Sequence, residues 1–161
     1  MFNEVLAGYK KAILLAVLVL LFFCLMSRMD YVVNSTLYSY GLRFSYNWAW
    51  EYWITYNAIF VAFALVVSCA YWLGSHKTQR DVKFSIALLI TIVLFTVGGL
   101  QDVMFFVFWA GGLPPSNVVW WWAPWTNLIG TWNSAIQIGL MTLTFGASIC
   151  TWLLATKKRR E

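Results

Sequence analysis

The side chains that could carry acid–base chemistry lie just beyond long apolar runs, where four of them could form one polar cluster: Asp30, Arg43, Glu51 and Asp102. Ionisable groups close to a membrane are functional candidates by default, and Glu51 facing Asp102 would make an acid and base pair. Asp102 comes 18 positions after Phe84, about 27 Å along a helix, so it lies near a membrane surface rather than at the bilayer centre. Simple pairing of such a carboxylate with Arg43 or Arg28, or its capping by a loop amide, is therefore preferred over catalysis.

Metal-ligating residues are scarce. A copper or iron site needs several imidazoles, thiolates or suitably spaced carboxylates, and the chain has one histidine, His76, and three cysteines scattered over separate apolar runs. The sequence therefore predicts no metal or other cofactor in this chain, and no disulfide framework.

The elements that must position these residues are membrane helices. The chain has 161 residues, of which 61% are hydrophobic and 11% charged, far fewer charges than the quarter or so found in soluble domains. A spanning helix needs about 20 mostly apolar residues, and four segments supply them, at about residues 8–28, 52–75, 84–109 and 125–156. The predicted fold is a single all-α integral membrane domain, residues 1–161, with four transmembrane helices.

Basic residues predict the orientation of these helices, since short cytoplasmic loops are enriched in Lys and Arg. Nine of the eleven fall on one side, namely Lys10, Lys11, Lys77, Arg80, Lys83, Lys157, Lys158, Arg159 and Arg160. Only Arg28 and Arg43 fall on the other. We therefore expect a multi-pass protein of the cell membrane with both termini in the cytoplasm. The net charge of +5 then reflects topology and gives no support to a nucleic-acid partner.

Tryptophan is concentrated on the predicted outer side, where two aromatic-rich loops cover residues 30–51 and 110–125. An interfacial aromatic belt is the simplest explanation. Three consecutive tryptophans exceed what anchoring needs, and aromatics are enriched in interface cores. The sequence therefore also predicts a surface that docks another membrane protein, formed by Trp120, Trp121, Trp122 and Trp125, with at least one of the first three buried against protein.

Polar and small residues within the spans favour helix packing over a permeation path. Asn57 in the second span, with Asn133, Gln137, Gly139 and Gly146 in the fourth, are expected to hydrogen-bond between helices or to permit their close approach. Asn34, Ser35 and Thr36 form a glycosylation sequon, although its closeness to the membrane disfavours modification.

Two short motifs resemble a known family. Val33–Leu37 reads VNSTL, and after an aromatic segment Asn47–Trp50 reads NWAW before a membrane helix. This is similar to the start of the A subunit of archaeal ammonia monooxygenase, where VNSTL is followed by DWAW after the first helix. The resemblance covers about residues 30–60, and here Asn47 replaces the aspartate. The chain is also shorter than that subunit and lacks the histidine and aspartate ligands of the copper-bearing subunits.

The resemblance implies a non-catalytic accessory subunit, of the type called subunit X, which stabilises an ammonia monooxygenase complex. Its partners would be the other membrane subunits, which would hold the copper, together with lipids. The alternative is a stand-alone membrane enzyme or a binder of small molecules or lipids, with Glu51 and Asp102 in an outward-facing pocket. A transporter is less favoured, because no charged residue lies near the predicted midplane.

Overall fold

The computed structural model describes residues 2–42, 46–123 and 125–157, and over these ranges every regular element is helical. Six α-helices and one π-helical segment, Phe105–Trp109, follow one another. The α-helices are α1 (Phe2–Ser39), α2 (Tyr46–Leu73), α3 (Gln79–Val97), α4 (Leu100–Met104), α5 (Trp125–Ile129) and α6 (Ser134–Thr156).

Three of these helices are long and apolar enough to cross a membrane, over Leu14–Ser39, Trp50–Leu73 and Ser134–Thr156. A fourth span is possible only as a bent pair, in which Gln79–Val97 and Leu100–Trp109 meet at 57°. The chain is therefore all-helical with three candidate spans, or four if the bent pair counts as one. The side on which the termini lie stays a prediction.

The first helix is longer than predicted and continues through polar residues after the apolar run, some of which bond back to their own helix. The side-chain amide of Asn34 donates to the backbone carbonyl of Asp30, and the hydroxyl of Ser39 donates to the backbone carbonyl of Thr36. The helix ends in a Schellman motif, in which Leu42 N donates to Leu37 O and Gly41 takes a φ of 70°. The predicted end near residue 28 thus marked the end of the apolar run only.

The predicted third and fourth helices are each interrupted. The third breaks at Gly98 and Gly99, and the φ of 67° at Gly99 is one that residues with a side chain rarely adopt. The fourth is split by residues 130–133, where Gly130 has a φ of 80° and Asn133 begins a new helix. The second helix also starts earlier than predicted, at Tyr46.

The chain divides into two compact units. Unit 1 comprises residues up to Leu42 with Gln101–Leu113, and unit 2 comprises Arg43–Leu100 with the chain from Pro114 onward. The core of unit 2 is α3, which packs against both α2 and α6.

Hydroxyl groups tie α3 to its two neighbours in unit 2. Ser85 donates to the Ser68 carbonyl of α2 over 2.8 Å. The Thr91 hydroxyl accepts from Trp152 over 2.9 Å and from Ser148 over 3.1 Å, both on α6. Because the hydrophobic effect does not drive helices together in lipid, such bonds and close packing hold the helices.

Candidate functional sites

The predicted polar cluster is partly assembled in unit 1, around Asp30. The two oxygens of its carboxylate accept separate amide hydrogen bonds, from Gln101 Nε2 over 2.9 Å and from Asn34 Nδ2 over 3.0 Å. Gln101 is buried. Asp102, the next residue, is half-buried and close enough to Asp30 for the two carboxylates to interact electrostatically. The two aspartates of the predicted cluster therefore share one unit.

The structure does not test the other two members of that cluster. Arg43 lies outside the described residues. Glu51 is exposed on α2, in unit 2. The proposed acid and base pair of Glu51 with Asp102 stays a prediction.

Arg28 contacts aromatic rings of unit 1. Its guanidinium carbon lies 4.8 Å from the ring centroid of Trp109 and 5.3 Å from that of Tyr31, within the range of a cation–π interaction. The Trp109 indole in turn donates to the buried Ser27 hydroxyl over 3.0 Å, and Ser27 donates to the Cys24 carbonyl. Arg28 thus helps to hold the π-helical segment on α1.

Gln101 is the functional-site residue that sequence reasoning missed. The signal was present, since Gln101 and Asp102 form the first polar pair after the uncharged run that starts at Phe84. The charge of Asp102 marks it as a candidate in the sequence, although Gln101 is the residue that bonds to Asp30.

A second polar site lies in unit 2, at the end of α3. The Gly98 carbonyl accepts from Gln137 Nε2 over 2.6 Å, and Gln137 Oε1 accepts from the Trp132 indole over 2.9 Å. Gln137 is only 2% exposed. A helix that ends inside a membrane leaves carbonyls that cost several kcal/mol each if they stay unbonded. Gln137 therefore both supplies a donor for the interrupted helix and fixes an indole.

Close packing accompanies this bond. A Cβ built on Gly98 would overlap the hydroxyl of Thr144 on α6. Nothing described lies within 4 Å of a Cβ built on Gly139 or on Gly146. The close approach between α3 and α6 thus occurs at Gly98, and the two predicted packing glycines face away from the rest of the described chain.

The two asparagines predicted to pack between helices, Asn57 and Asn133, form hydrogen bonds within their own helices. Asn57 donates to the Trp53 carbonyl one turn earlier on α2. Asn133 is the N-cap of α6, and its side chain accepts from Ile136 N over 3.0 Å. Of the three polar residues expected between helices, Gln137 is the one that bonds to another helix.

Seven tryptophans of unit 2 form what we call the tryptophan cluster: Trp50, Trp53, Trp120, Trp121, Trp122, Trp125 and Trp132. Four of these rings contact one another in a chain. Trp50 stacks on Trp53 with centroids 5.5 Å apart, Trp53 meets Trp125 edge-on at 6.0 Å, and Trp125 lies 6.1 Å from Trp132.

The three consecutive tryptophans join this cluster through the backbone. Trp120 N donates to the Trp132 carbonyl over 2.7 Å, and the Trp120 carbonyl accepts from the Thr126 hydroxyl. The rings of Trp120 and Trp122 stack at 5.6 Å, and Trp121 meets Trp122 edge-on at 5.9 Å. The irregular segment is therefore fixed at both the backbone and the rings.

Burial differs sharply among these three residues. Trp120 is 0% exposed, whereas Trp121 is 51% exposed. The prediction that at least one of the three is buried against protein is confirmed, and that protein is the chain itself. Of the predicted docking residues, Trp121 is the most exposed, whereas Trp122 and Trp125 are half-buried.

The sequon residue Asn34 lies within α1, where its amide donates to both the carboxylate and the backbone carbonyl of Asp30. Among the residues that the structure describes, no three His, Cys, Asp or Glu side chains come together as a metal-binding group.

In comparisons with known proteins, no family profile, no curated protein and no solved structure matches this chain.

Proposed function

We propose that this chain is a non-catalytic accessory subunit of an ammonia monooxygenase complex, held to the other membrane subunits by helix packing and by the tryptophan cluster. The VNSTL and NWAW motifs of residues 33–37 and 47–50 support the choice of complex through their resemblance to the A subunit. Copper would be held by the partner subunits.

The observation that carries the accessory role is the half-exposed ring of Trp121 on an ordered, irregular segment. Val118 and Val119 beside it are also exposed. Irregular backbone does not face lipid hydrocarbon, because its polar groups cannot be satisfied there. An apolar patch on such a segment is covered best by another protein, and tryptophan is among the residues most often found at interface hot spots.

The hydrogen bonds of the buried polar groups agree with a structural role. Asp30 and Gln101 bond to each other, and Gln137 joins the end of α3 to the Trp132 indole. These groups hold helices and rings in place. The stand-alone enzyme or binder remains the alternative, and it depends on Glu51 and Asp102 acting together.

Native purification tests this proposal. Membranes from the cells that encode the chain are solubilised in a mild detergent, the tagged chain is captured, and its companions are identified by mass spectrometry and copper analysis. We expect copper-containing monooxygenase subunits to co-purify in a fixed ratio. A free monomer or a homo-oligomer, with the copper subunits migrating elsewhere, would favour the alternative.

A matched pair of variants tests the docking residue. Trp121→Ala should reduce retention of the chain in the complex by roughly 30-fold, since a hot-spot tryptophan typically contributes about 2 kcal/mol or more. The control is Trp72→Ala, which removes a tryptophan that is 39% exposed on the predicted inner side. Retention of both variants at wild-type stoichiometry would return Trp121 to a lipid-anchoring role.

A further inference from the structure

One end of unit 2 concentrates basic side chains, and we call it the basic end: Lys77, Arg80, Lys83 and Lys157. Two contacts show that the start of α3 and the end of α6 lie side by side. The rings of Phe84 and Trp152 are 5.6 Å apart, and Trp152 donates to Thr91 of α3. Residues from the α2–α3 turn and from the end of α6 therefore meet at the same end.

The charge of this end is poorly balanced within the chain. Its carboxylate among the described residues is Asp81, which accepts from the backbone N and the hydroxyl of Thr78 in the capping box of α3. Four cations against one anion leave a net charge of +3 on the described residues of the basic end. The sequence continues with Lys158, Arg159 and Arg160 before Glu161.

Aromatic rings lie beneath two of these cations. The Lys77 ammonium is 5.5 Å from the centroid of the Trp72 ring, and the Arg80 guanidinium is 5.0 Å from that of Phe84. Aromatic residues of membrane proteins are enriched at the level of the lipid headgroups. We therefore expect the cations over these rings to lie at headgroup depth.

The backbone at Lys77 points to a requirement for its side chain. Its φ is 56°, and it is the one non-glycine residue of the described chain with a positive φ. Glycine or asparagine would adopt this conformation more easily. A lysine here keeps an ammonium group at the turn despite that disadvantage.

We propose that the basic end binds the phosphate headgroup of an anionic phospholipid. The nearby helix surface distinguishes a lipid from a free phosphate ion. Leu73 of α2 and Leu153 and Leu154 of α6 are exposed, and they lie within four positions of Lys77 or Lys157 along the chain. A lipid can place its phosphate on the cations and its hydrocarbon chains along these leucines. A free ion would leave them uncovered.

Binding is measured on the full chain in a neutral detergent, by native mass spectrometry with added phosphatidylglycerol or phosphatidylcholine at low salt. Wild type should retain phosphatidylglycerol in preference to phosphatidylcholine. Each basic residue near an anionic surface contributes about 1 kcal/mol, or roughly fivefold. The triple variant Lys77→Gln/Arg80→Gln/Lys83→Gln should therefore lose the preference by up to roughly 100-fold.

Two controls separate a site from general charge attraction and from misfolding. The variant Lys10→Gln/Lys11→Gln removes two positive charges from unit 1 and should keep the preference. The variant Lys77→Arg/Lys83→Arg retains the charge and should bind like wild type, with an unchanged helical circular dichroism spectrum. A loss in the Lys10→Gln/Lys11→Gln variant as large as that in the triple variant would overturn the site. Displacement of the lipid by equimolar glycerol phosphate would overturn the assignment to a lipid.

Discussion

At the scale of single residues, Gln137 shows how one buried amide can serve two partners. It bonds to a carbonyl at the end of α3 and to the indole of Trp132. The polar residues Asn133 and Gln137 in the fourth apolar run predict that Gln137 bonds between helices. Its partners could not be predicted, because Gly98 lies 39 positions away and becomes an acceptor only when its helix is interrupted.

Replacing Gln137 with leucine should destabilise the chain. The change leaves the Gly98 carbonyl and the Trp132 indole without their partner, and an unsatisfied buried group costs about 1–3 kcal/mol. Measured bonds between membrane helices average nearer 0.6 kcal/mol, so we expect a total loss of about 1–3 kcal/mol. Titration with dodecyl sulfate in mixed micelles, followed by tryptophan fluorescence, measures this.

The matched control is Asn57→Leu. Asn57 bonds to a carbonyl of its own helix, so its loss should change the free energy of unfolding by no more than about 0.5 kcal/mol. Equal destabilisation by the two substitutions would contradict a special role for Gln137.

At the scale of elements, the interruptions of the predicted helices decide where the polar groups lie. Hydropathy predicts the apolar runs, because the apolar character and the length of a run depend only on the local sequence. It does not predict the break at Gly98 and Gly99, because glycine is tolerated within membrane helices. At the break, Gly98 lies against Thr144 and accepts the bond from Gln137, and both of these residues belong to a distant segment.

Alanine at Gly98, at the end of α3, and alanine at Gly139, in α6, should have opposite effects on the stability of unit 2. Gly98→Ala places a Cβ against Thr144 and should destabilise unit 2 by about 1–3 kcal/mol, the usual cost of overpacking. Gly139→Ala meets open space and should be neutral or stabilising by up to about 1 kcal/mol, since alanine favours a helix.

The same micelle titration compares the two variants, and Gly98→Ala/Thr144→Ala should recover part of the loss. If Gly139→Ala proved the more destabilising, the close approach of the helices would not be at Gly98.

At the scale of the whole molecule, the distribution of charge predicts the orientation. Nine of eleven basic residues fall on one predicted side, and this pattern predicts topology without any knowledge of packing. The contents of the polar cluster were harder to predict, because carboxylates draw attention as charges whereas their partners are neutral amides. Asp30 is bonded by Asn34 and Gln101, and neither carries a charge that would mark it.

Labelling of engineered cysteines tests the orientation. With Cys24, Cys69 and Cys150 replaced by alanine, an impermeant maleimide added to intact cells should modify Ser116→Cys and spare Ser75→Cys. Permeabilised cells provide the control, since both positions should then react. The opposite pattern in intact cells would reverse the predicted topology.

Copper analysis of the isolated chain tests the prediction that it holds no cofactor. The purified chain, dialysed against excess copper and then a weak chelator, should retain far less than one copper per chain. The intact complex purified in parallel is the control. Stoichiometric copper on the isolated chain would reveal a metal site that sequence reasoning missed, with Asp30 and Asp102 the first residues to examine.

The bond between Gly98 and Gln137 also has a consequence for the order of events during synthesis. At about 5–20 residues per second, the 39 positions between them take roughly 2–8 s to translate. Throughout that interval α3 has been made but the donor for its last carbonyl has not. The carbonyl must be hydrated or held by the insertion machinery until α6 arrives. We therefore expect unit 2 to reach its final arrangement only after α6 has been inserted, and a chain interrupted before that step to expose an unsatisfied polar group.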